Sequence, residues 1–190
     1  MSLQIVEIGP ERLTEYDRIP QSVQVEAVLE PELVQDGLGG ILLHETPVPP
    51  YVKDYDSAGD RPSDLPMQFD VRKWGFFLAL QGPLALGGAI VAFDTTGVFM
   101  LENRQDLAVL WDIRVRPEGR GAGIPLFRHA AAWARQRGCT QIKIETQNVN
   151  LPACRFYRRM GCRLGEIRRY GYAAVPAVAQ EVMLCWYLDL

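Results

Sequence analysis

Between Leu107 and Gly138 the chain passes from a run of branched and aromatic residues, through a turn with Gly119, Gly121 and Gly123, into a segment of helical period. Leu107 to Val115 is rich in strand formers and reads as a central strand. Beyond the turn, Leu126, Phe127, Ala130, Trp133 and Ala134 recur at the spacing of one apolar helix face. Pro125 suits the first helical turn, where a missing N–H costs nothing. Gly138 supplies a left-handed stop just after Arg135 and Arg137, cations that favour a helix C-terminus. Strand, glycine turn and helix in that order make a nest of backbone N–H groups at a helix N-terminus, a receptor for phosphate oxygens. An anionic cofactor is expected there.

Two phosphate-binding motifs do not fit. A dinucleotide fingerprint needs G-x-G-x-x-G with an acidic residue about twenty residues on, and a Walker loop needs Gly-Lys followed by Ser or Thr. Here the glycines run G-x-G-x-G, with no such lysine, so a nonenzymatic nucleotide switch is set aside. Gln141 to Thr146 reads as a second buried strand. Two strands flanking one helix imply a right-handed crossover with parallel strands, and the ligand crevice at their open ends.

The 190 residues, 48% hydrophobic and 23% charged, suit one soluble domain spanning residues 1–190. A net charge of −3 argues against a nucleic-acid partner and mildly favours a cationic one. Cys139, Cys154, Cys162 and Cys185 form no C-x-x-C pair, and His44 and His129 are the only histidines, so neither structural zinc nor a disulfide framework is expected. Reduced thiols and the lack of a signal-peptide pattern point to a cytoplasmic protein. Trp74 to Phe93 is uncharged and long enough to span a bilayer, but Gln81-Gly82-Pro83 and Gly87-Gly88 break it. Two strands in a hairpin, Trp74 to Leu80 and Leu84 to Asp94, fit better, and no membrane partner is expected.

Elsewhere, strands are expected at Gln4 to Ile8, Ser22 to Leu29 and Ile41 to His44, with a short helix from Pro10 to Tyr16. His44 reads as a strand residue without chemistry. Thr46 to Pro66 holds five of the thirteen prolines and shows no period, so it is expected to be a long loop. Its Asp54, Asp56, Asp60 and Asp64, with Tyr51 and Tyr55, can either collect a cationic ligand or form a solvated excursion. Asn150 is an N-cap candidate for a helix with Pro152 in its first turn, an apolar ridge at Ala153, Phe156 and Tyr157, and a stop at Gly161. Arg163 to Tyr172 and Glu181 to Leu188 read as closing strands, whose edges can pair in a homodimer.

The run Asn150, Ala153, Phe156-Tyr157 and Gly161-Cys162, one strand and helix after the glycine turn, resembles the GNAT superfamily of N-acetyltransferases over Leu107 to Tyr172. The family's loop is written Arg or Gln, x, x, Gly, x, Gly or Ala. Two registers fit. Either Arg120 is the basic residue and Gly123 its glycine, with Pro125 at the final small position, or Gly121 and Gly123 are the glycines, with Glu118 first. The second leaves Arg120 free to reach phosphate. Cys162 stands where the family has Phe. Glu145-Thr146-Gln147-Asn148 running into Ala153 to Tyr157, with Trp111-Asp112 and Trp186-Tyr187-Leu188, is similar to the family's streptothricin acetyltransferase branch, which acetylates an amine on the antibiotic's β-lysine part.

The resemblance implies an α/β (α+β) fold: a mixed, mostly antiparallel central sheet flanked by helices, with a splayed parallel strand pair at the cofactor crevice. It implies acetyl-CoA as cosubstrate, held by Arg120, Gly121, Ala122, Gly123 and Ile124 at the pyrophosphate, by the backbone of Ile113, Arg114 and Val115 at the acetyl and pantetheine arm, and by Asn150. No metal is implied. Tyr157 is the implied general acid beside the coenzyme sulfur, although a Phe-Tyr pair also packs a helix on a sheet. A base must free the amine, and Glu145 and Asp112 are the candidates; each can instead pair with Lys143 or Arg114. Trp111 and Tyr170 can wall a cation. No cysteine has a histidine or acid at recognisable spacing, which favours direct transfer over an acyl-enzyme. The expected acceptor is a small cationic primary amine. The alternatives are a protein N-terminus or lysine as acceptor, or a CoA-binding module without turnover.

Overall fold

Strand β5 (Leu84–Phe93) is buried almost from end to end, with β4 (Gly75–Gln81) on one side and β6 (Leu107–Val115) on the other. Such near-continuous apolar runs belong in the middle of a sheet covered on both faces. The structure is a computed structural model that describes residues 2–59 and 61–190. Backbone contacts divide it into two units: Met1–Gln21 with Asp54–Ile144 and Leu188–Leu190, and Ser22–Lys53 with Glu145–Tyr187.

In the first unit the strand order is β1-β4-β5-β6-β7, where β1 is Gln4–Glu7 and β7 is Gln141–Gln147. All pairs are antiparallel except β6 and β7, which run parallel from Leu107–Gln141 to Leu110–Ile144. The expected mixed, mostly antiparallel sheet with one parallel pair is therefore present. A core of Leu13, Tyr16, Ile19, Trp74, Phe76, Leu78, Ile90 and Val109 includes the short helix α1 (Leu13–Tyr16). Gly87-Gly88, which read as a break, lie inside β5. A Cβ at Gly88 would fall 2.3 Å from the Tyr16 ring and one at Gly87 2.8 Å from the Arg114 carbonyl, so these glycines admit close neighbours rather than end the strand.

Helix α3 (Gly123–Gln136) buries Leu126, Phe127, Ala130, Trp133 and Ala134, the face expected from their spacing. Gly138 has φ 80° and ends it, and the Arg137 guanidinium lies 3.6 Å from the centre of the Trp133 ring. Short helix α2 spans Leu65–Gln68.

In the second unit β2 (Ser22–Leu33) pairs with β3 (Ile41–Asp54), α4 spans Leu151–Arg159, and β8 (Arg163–Arg168) pairs antiparallel with β9 (Met183–Asp189). The expected loop from Thr46 to Pro66 is thus corrected: residues up to Asp54 are strand, and β2 and β3 both outrun their expected ends. In a two-stranded sheet each strand keeps an open edge, where proline forfeits no ladder bond. Pro47 and Pro49 are exposed while Thr46 and Val48, each just before one of them, are half-buried, the alternation of a strand. Cross-strand contacts from His44 to Glu32 at 2.6 Å and from Thr46 to Glu30 at 2.8 Å join the pair. The closing strands are shorter than expected on one side: β8 stops at Arg168, and Arg169 to Tyr172 lie in turns. No helix among the described residues is long and apolar enough to cross a membrane.

Candidate active site

In the first unit, β6 carries Trp111, Asp112, Ile113, Arg114 and Val115 beyond the end of its parallel register with β7 at Leu110. Those residues continue to pair with β5, and the register slips at Trp111, between Asp112–Ile90 and Leu110–Val91. This bulge re-aims the strand where the implied site begins. Trp111 is 37% exposed, with Trp74 and Phe69 rings 5.2 and 5.3 Å away, so one side is packed and the other faces solvent.

The turn after β6 gives its three glycines separate tasks. The Arg116 N–H donates to the Leu86 carbonyl at 2.8 Å, and a Cβ at Gly119 would fall 2.6 Å from that same oxygen. Gly119 therefore lets the turn lie against β5. Gly121 has φ 104°, a left-handed backbone that disfavours any side chain, and Gly123 is the first residue of α3. The Ala122 N–H bonds Gly119, while the N–H groups of Arg120, Gly121, Gly123 and Ile124 find no acceptor among the described residues. Pro125 falls in the first helical turn, and the Arg120 side chain is exposed beside the turn. Free amides at a helix N-terminus fit phosphate oxygens, as the expected phosphate receptor requires.

Asp112 is committed elsewhere. Its Oδ2 accepts from the Arg114 Nε at 2.8 Å, and its Oδ1 from the Gln21 Nε2 at 3.2 Å. Arg114 also donates to Asp56 at 3.0 Å, the Gln21 Oε1 at 2.9 Å and the Ile19 carbonyl at 3.1 Å, and lies 5.4 Å from the centre of the Tyr16 ring. Burial holds the Asp112 carboxyl above its ordinary pKa, and the Arg114 charge opposes this. The Tyr16 phenol, fully buried near the Asp112 charge, stays protonated. Asp56, which read as a ligand-collecting carboxylate, is used by Arg114 and the Gln21 N–H; Asp60 lies outside the described residues.

In the second unit Glu145 sits on β7 and accepts a hydrogen bond of 2.5 Å from the Tyr172 hydroxyl. Lys143, the other partner considered for it, bonds Glu102 within the first unit. Burial first, then the Glu145 charge, pushes the Tyr172 phenol far above its ordinary pKa, so it remains the donor. Asn150 is the N-cap expected, accepting from the Ala153 N–H at 3.2 Å. Two turns on, Tyr157 is 5% exposed, its ring 5.6 Å from that of Phe156. Tyr170 is 76% exposed. The sequence reading missed Tyr172, which it placed at the end of a closing strand and which declares itself only through its contact with Glu145. The pairing of Asp112 with Arg114, offered as the alternative to a base role, is present; the sequence reading missed the further partners Gln21, Asp56 and Ile19, which come from residues far apart in the chain.

The thiols are unsuited to nucleophilic attack. Burial pushes Cys139 up to about 11 and Cys154 and Cys162 up to about 12, and Cys185 is fully buried. Among the described residues no group of three or more His, Cys, Asp or Glu is placed to hold a metal.

A strand carrying a bulge, a turn of free amides and a helix beginning at Gly123 all lie within residues 42–162, which match the Acetyltransferase (GNAT) family. The chain belongs to that family, the acetyl-CoA-dependent N-acetyltransferases. Among its relatives, a streptothricin acetyltransferase of Escherichia coli is 32% identical over 151 residues, covering 78% of this chain and 76% of the relative. The streptothricin acetyltransferase of Streptomyces lavendulae is 35% identical over 145 residues, 74% of this chain and 70% of the relative. The structure of a streptothricin acetyltransferase candidate from Bacillus anthracis str. Ames, solved with acetyl coenzyme A, is 26% identical with a TM-score of 0.75, covering 100% of this chain and 98% of that one.

Proposed function

We propose that this enzyme moves acetyl from acetyl-CoA directly to a primary amine on the β-lysine part of a streptothricin-like antibiotic. The observation that carries the acceptor class is the likeness, over about three quarters of the chain, to two streptothricin acetyltransferases. Acetyl-CoA supplies the activated acetyl thioester. The free amides of Arg120, Gly121, Gly123 and Ile124 take its pyrophosphate oxygens, with Arg120 adding charge. The backbone of Ile113, Arg114 and Val115, past the end of the parallel register, receives the pantetheine arm, as does Asn150. Trp111 and Tyr170 are the aromatic side chains offered as walls for the acceptor's cation.

The acceptor must lose a proton before it attacks. Glu145 is the better base of the two carboxylates, because its partner is a neutral phenol whereas Asp112 is neutralised by a buried guanidinium. Tyr157 returns a proton to the departing thiolate. The raised thiol pKa values support transfer without an acyl-cysteine.

The test is a coenzyme A release assay with streptothricin, polyamines, aminoglycosides and lysine-ended peptides, run beside Tyr157→Phe. Streptothricin is expected to be the best acceptor, with kcat falling at least about tenfold in the variant while acetyl-CoA binding is kept. Turnover on peptides alone would move the assignment to a protein acetyltransferase. Tight acetyl-CoA binding with no turnover on any amine would make the chain a binding module.

A further inference from the structure

A cavity of about 610 Å3 lies within the second unit, lined by residues of β2, β3, the turn after β7, the turn after β8 and the stretch before β9. That volume lies in the roughly 300–1,000 Å3 range that holds small organic molecules. Four side chains give it chemical character: Glu30, Tyr51, Tyr170 and Glu181.

Glu181 is 6% exposed, and no other Asp or Glu among the described residues is as buried. A carboxylate so placed needs a cation, and Lys53 donates its ammonium to both Glu181 oxygens. The wall of the cavity thus already binds an alkylammonium, and each Glu181 oxygen keeps a further lone pair for another donor. Tyr51 feels the same carboxylate: burial and the Glu181 charge hold its phenol above the ordinary value. Glu30 is exposed to solvent at the same cavity, one oxygen fixed by the Thr46 hydroxyl at 2.8 Å. Among the described residues no cation is bound to it in the way that Lys53 offsets Glu181. Asn148 frames the cavity, donating to the Leu29 carbonyl at 3.0 Å and accepting from the Val182 N–H at 2.8 Å. One lining cation opposes the pattern: the Arg169 guanidinium, 5.5 Å from the centre of the Tyr170 ring, shows that this ring takes a cation on its face.

We infer that this cavity receives the ammonium groups of the acceptor, with Glu30 as charge anchor, Glu181 as hydrogen-bond acceptor, and Tyr51 and Tyr170 as aromatic walls. The assignment rests on the proposed amine acceptor and names the residues that select it. A primary ammonium brings three N–H donors to oxygens on several sides, so the cavity favours primary amines over neutral or anionic molecules of equal size.

The experiment titrates the full chain, without acetyl-CoA, with streptothricin by calorimetry, and measures steady-state kinetics of Glu30→Gln, Glu30→Asp and Tyr170→Ala. Both side chains are exposed, so these variants fold, which thermal melts verify. Glu30→Gln is expected to raise Kd and KM for streptothricin at least about tenfold, with kcat and the KM for acetyl-CoA within about twofold, as loss of a charged hydrogen bond implies. Glu30→Asp recovers part of the affinity. Acetylation with Kd and KM unmoved in Glu30→Gln and Tyr170→Ala overturns the cavity and leaves the reaction standing. Glu30-dependent binding without acetylation of any amine supports the cavity and overturns the reaction. Absence of binding overturns the cavity.

Discussion

Replacing Arg114 with methionine keeps the bulk of the side chain and removes its charge. The guanidinium is 5% exposed and its main partner, the Asp112 side chain, 8%. Its loss leaves the buried Asp112 carboxylate with the Gln21 amide and without its cation, and removes a donor from the Asp56 Oδ1, the Gln21 Oε1 and the Ile19 carbonyl. Breaking one partner of a buried ion pair costs about 3–5 kcal/mol. For a chain of this length each kcal/mol moves Tm by about 2–4 °C, so a fall of roughly 10 °C is expected. The sign with pH follows from the carboxyl, whose folded pKa, already raised by burial, rises further without the cation. The variant's deficit is then smallest below the ordinary carboxyl pKa of about 4 and grows as pH rises through the folded value. Chemical denaturation at a series of pH values from about 4 upward measures it. Asp112→Asn combined with Arg114→Met should recover about 1–3 kcal/mol as coupling energy. A loss under about 1 kcal/mol with no pH trend would show that the network contributes little, against the buried-pair estimate. Asp112 would then return as a candidate base. Asp112→Asn assayed well below its Tm should keep most of its kcat, whereas Glu145→Gln should lose about a hundredfold or more, as expected for a positioned base.

The turn offers a comparison of two glycines. Gly119→Ala should weaken acetyl-CoA binding in calorimetry, because its Cβ meets the Leu86 carbonyl and lifts the turn from β5; Gly121→Ala has open space but a φ of 104°, and should cost about 1–3 kcal/mol of backbone strain in denaturation. Unchanged affinity in both would separate the turn from the cofactor. The buried thiols set an alkaline limit. Their folded pKa values of about 11 to 12 exceed the unfolded value of 9.0, so their contribution is complete below pH 9 and is lost as pH rises through the folded values. Three such groups give a slope of about 4 kcal/mol per pH unit above the unfolded pKa, and Cys154→Ala should remove about a third of it in denaturation curves.

Local composition places β6 and the parallel strand β7, and local periodicity places α3, because the burial of each is written in its own stretch of chain. The N-cap at Asn150 and the stops at Gly138 and Gly161 are equally local, being set by the conformations those residues adopt within a turn of chain. Thr46 to Asp54 defeats the same reasoning. Proline clusters read as loop, and only pairing with β2 makes them one edge of a strand. Gly87-Gly88 misleads for a related cause: the Tyr16 ring that needs the space comes from seventy residues away in the chain. The site divides along the same line. Turn amides at Arg120 to Ile124 follow from strand, glycine and helix in order, a covalent sequence of events. The commitments of the carboxylates do not. That Asp112 is bound to Arg114, which also ties Asp56 and Gln21, while Glu145 faces Tyr172 and Glu181 faces Lys53, depends on which charges share a low-dielectric neighbourhood. Those neighbourhoods exist only once the chain has folded.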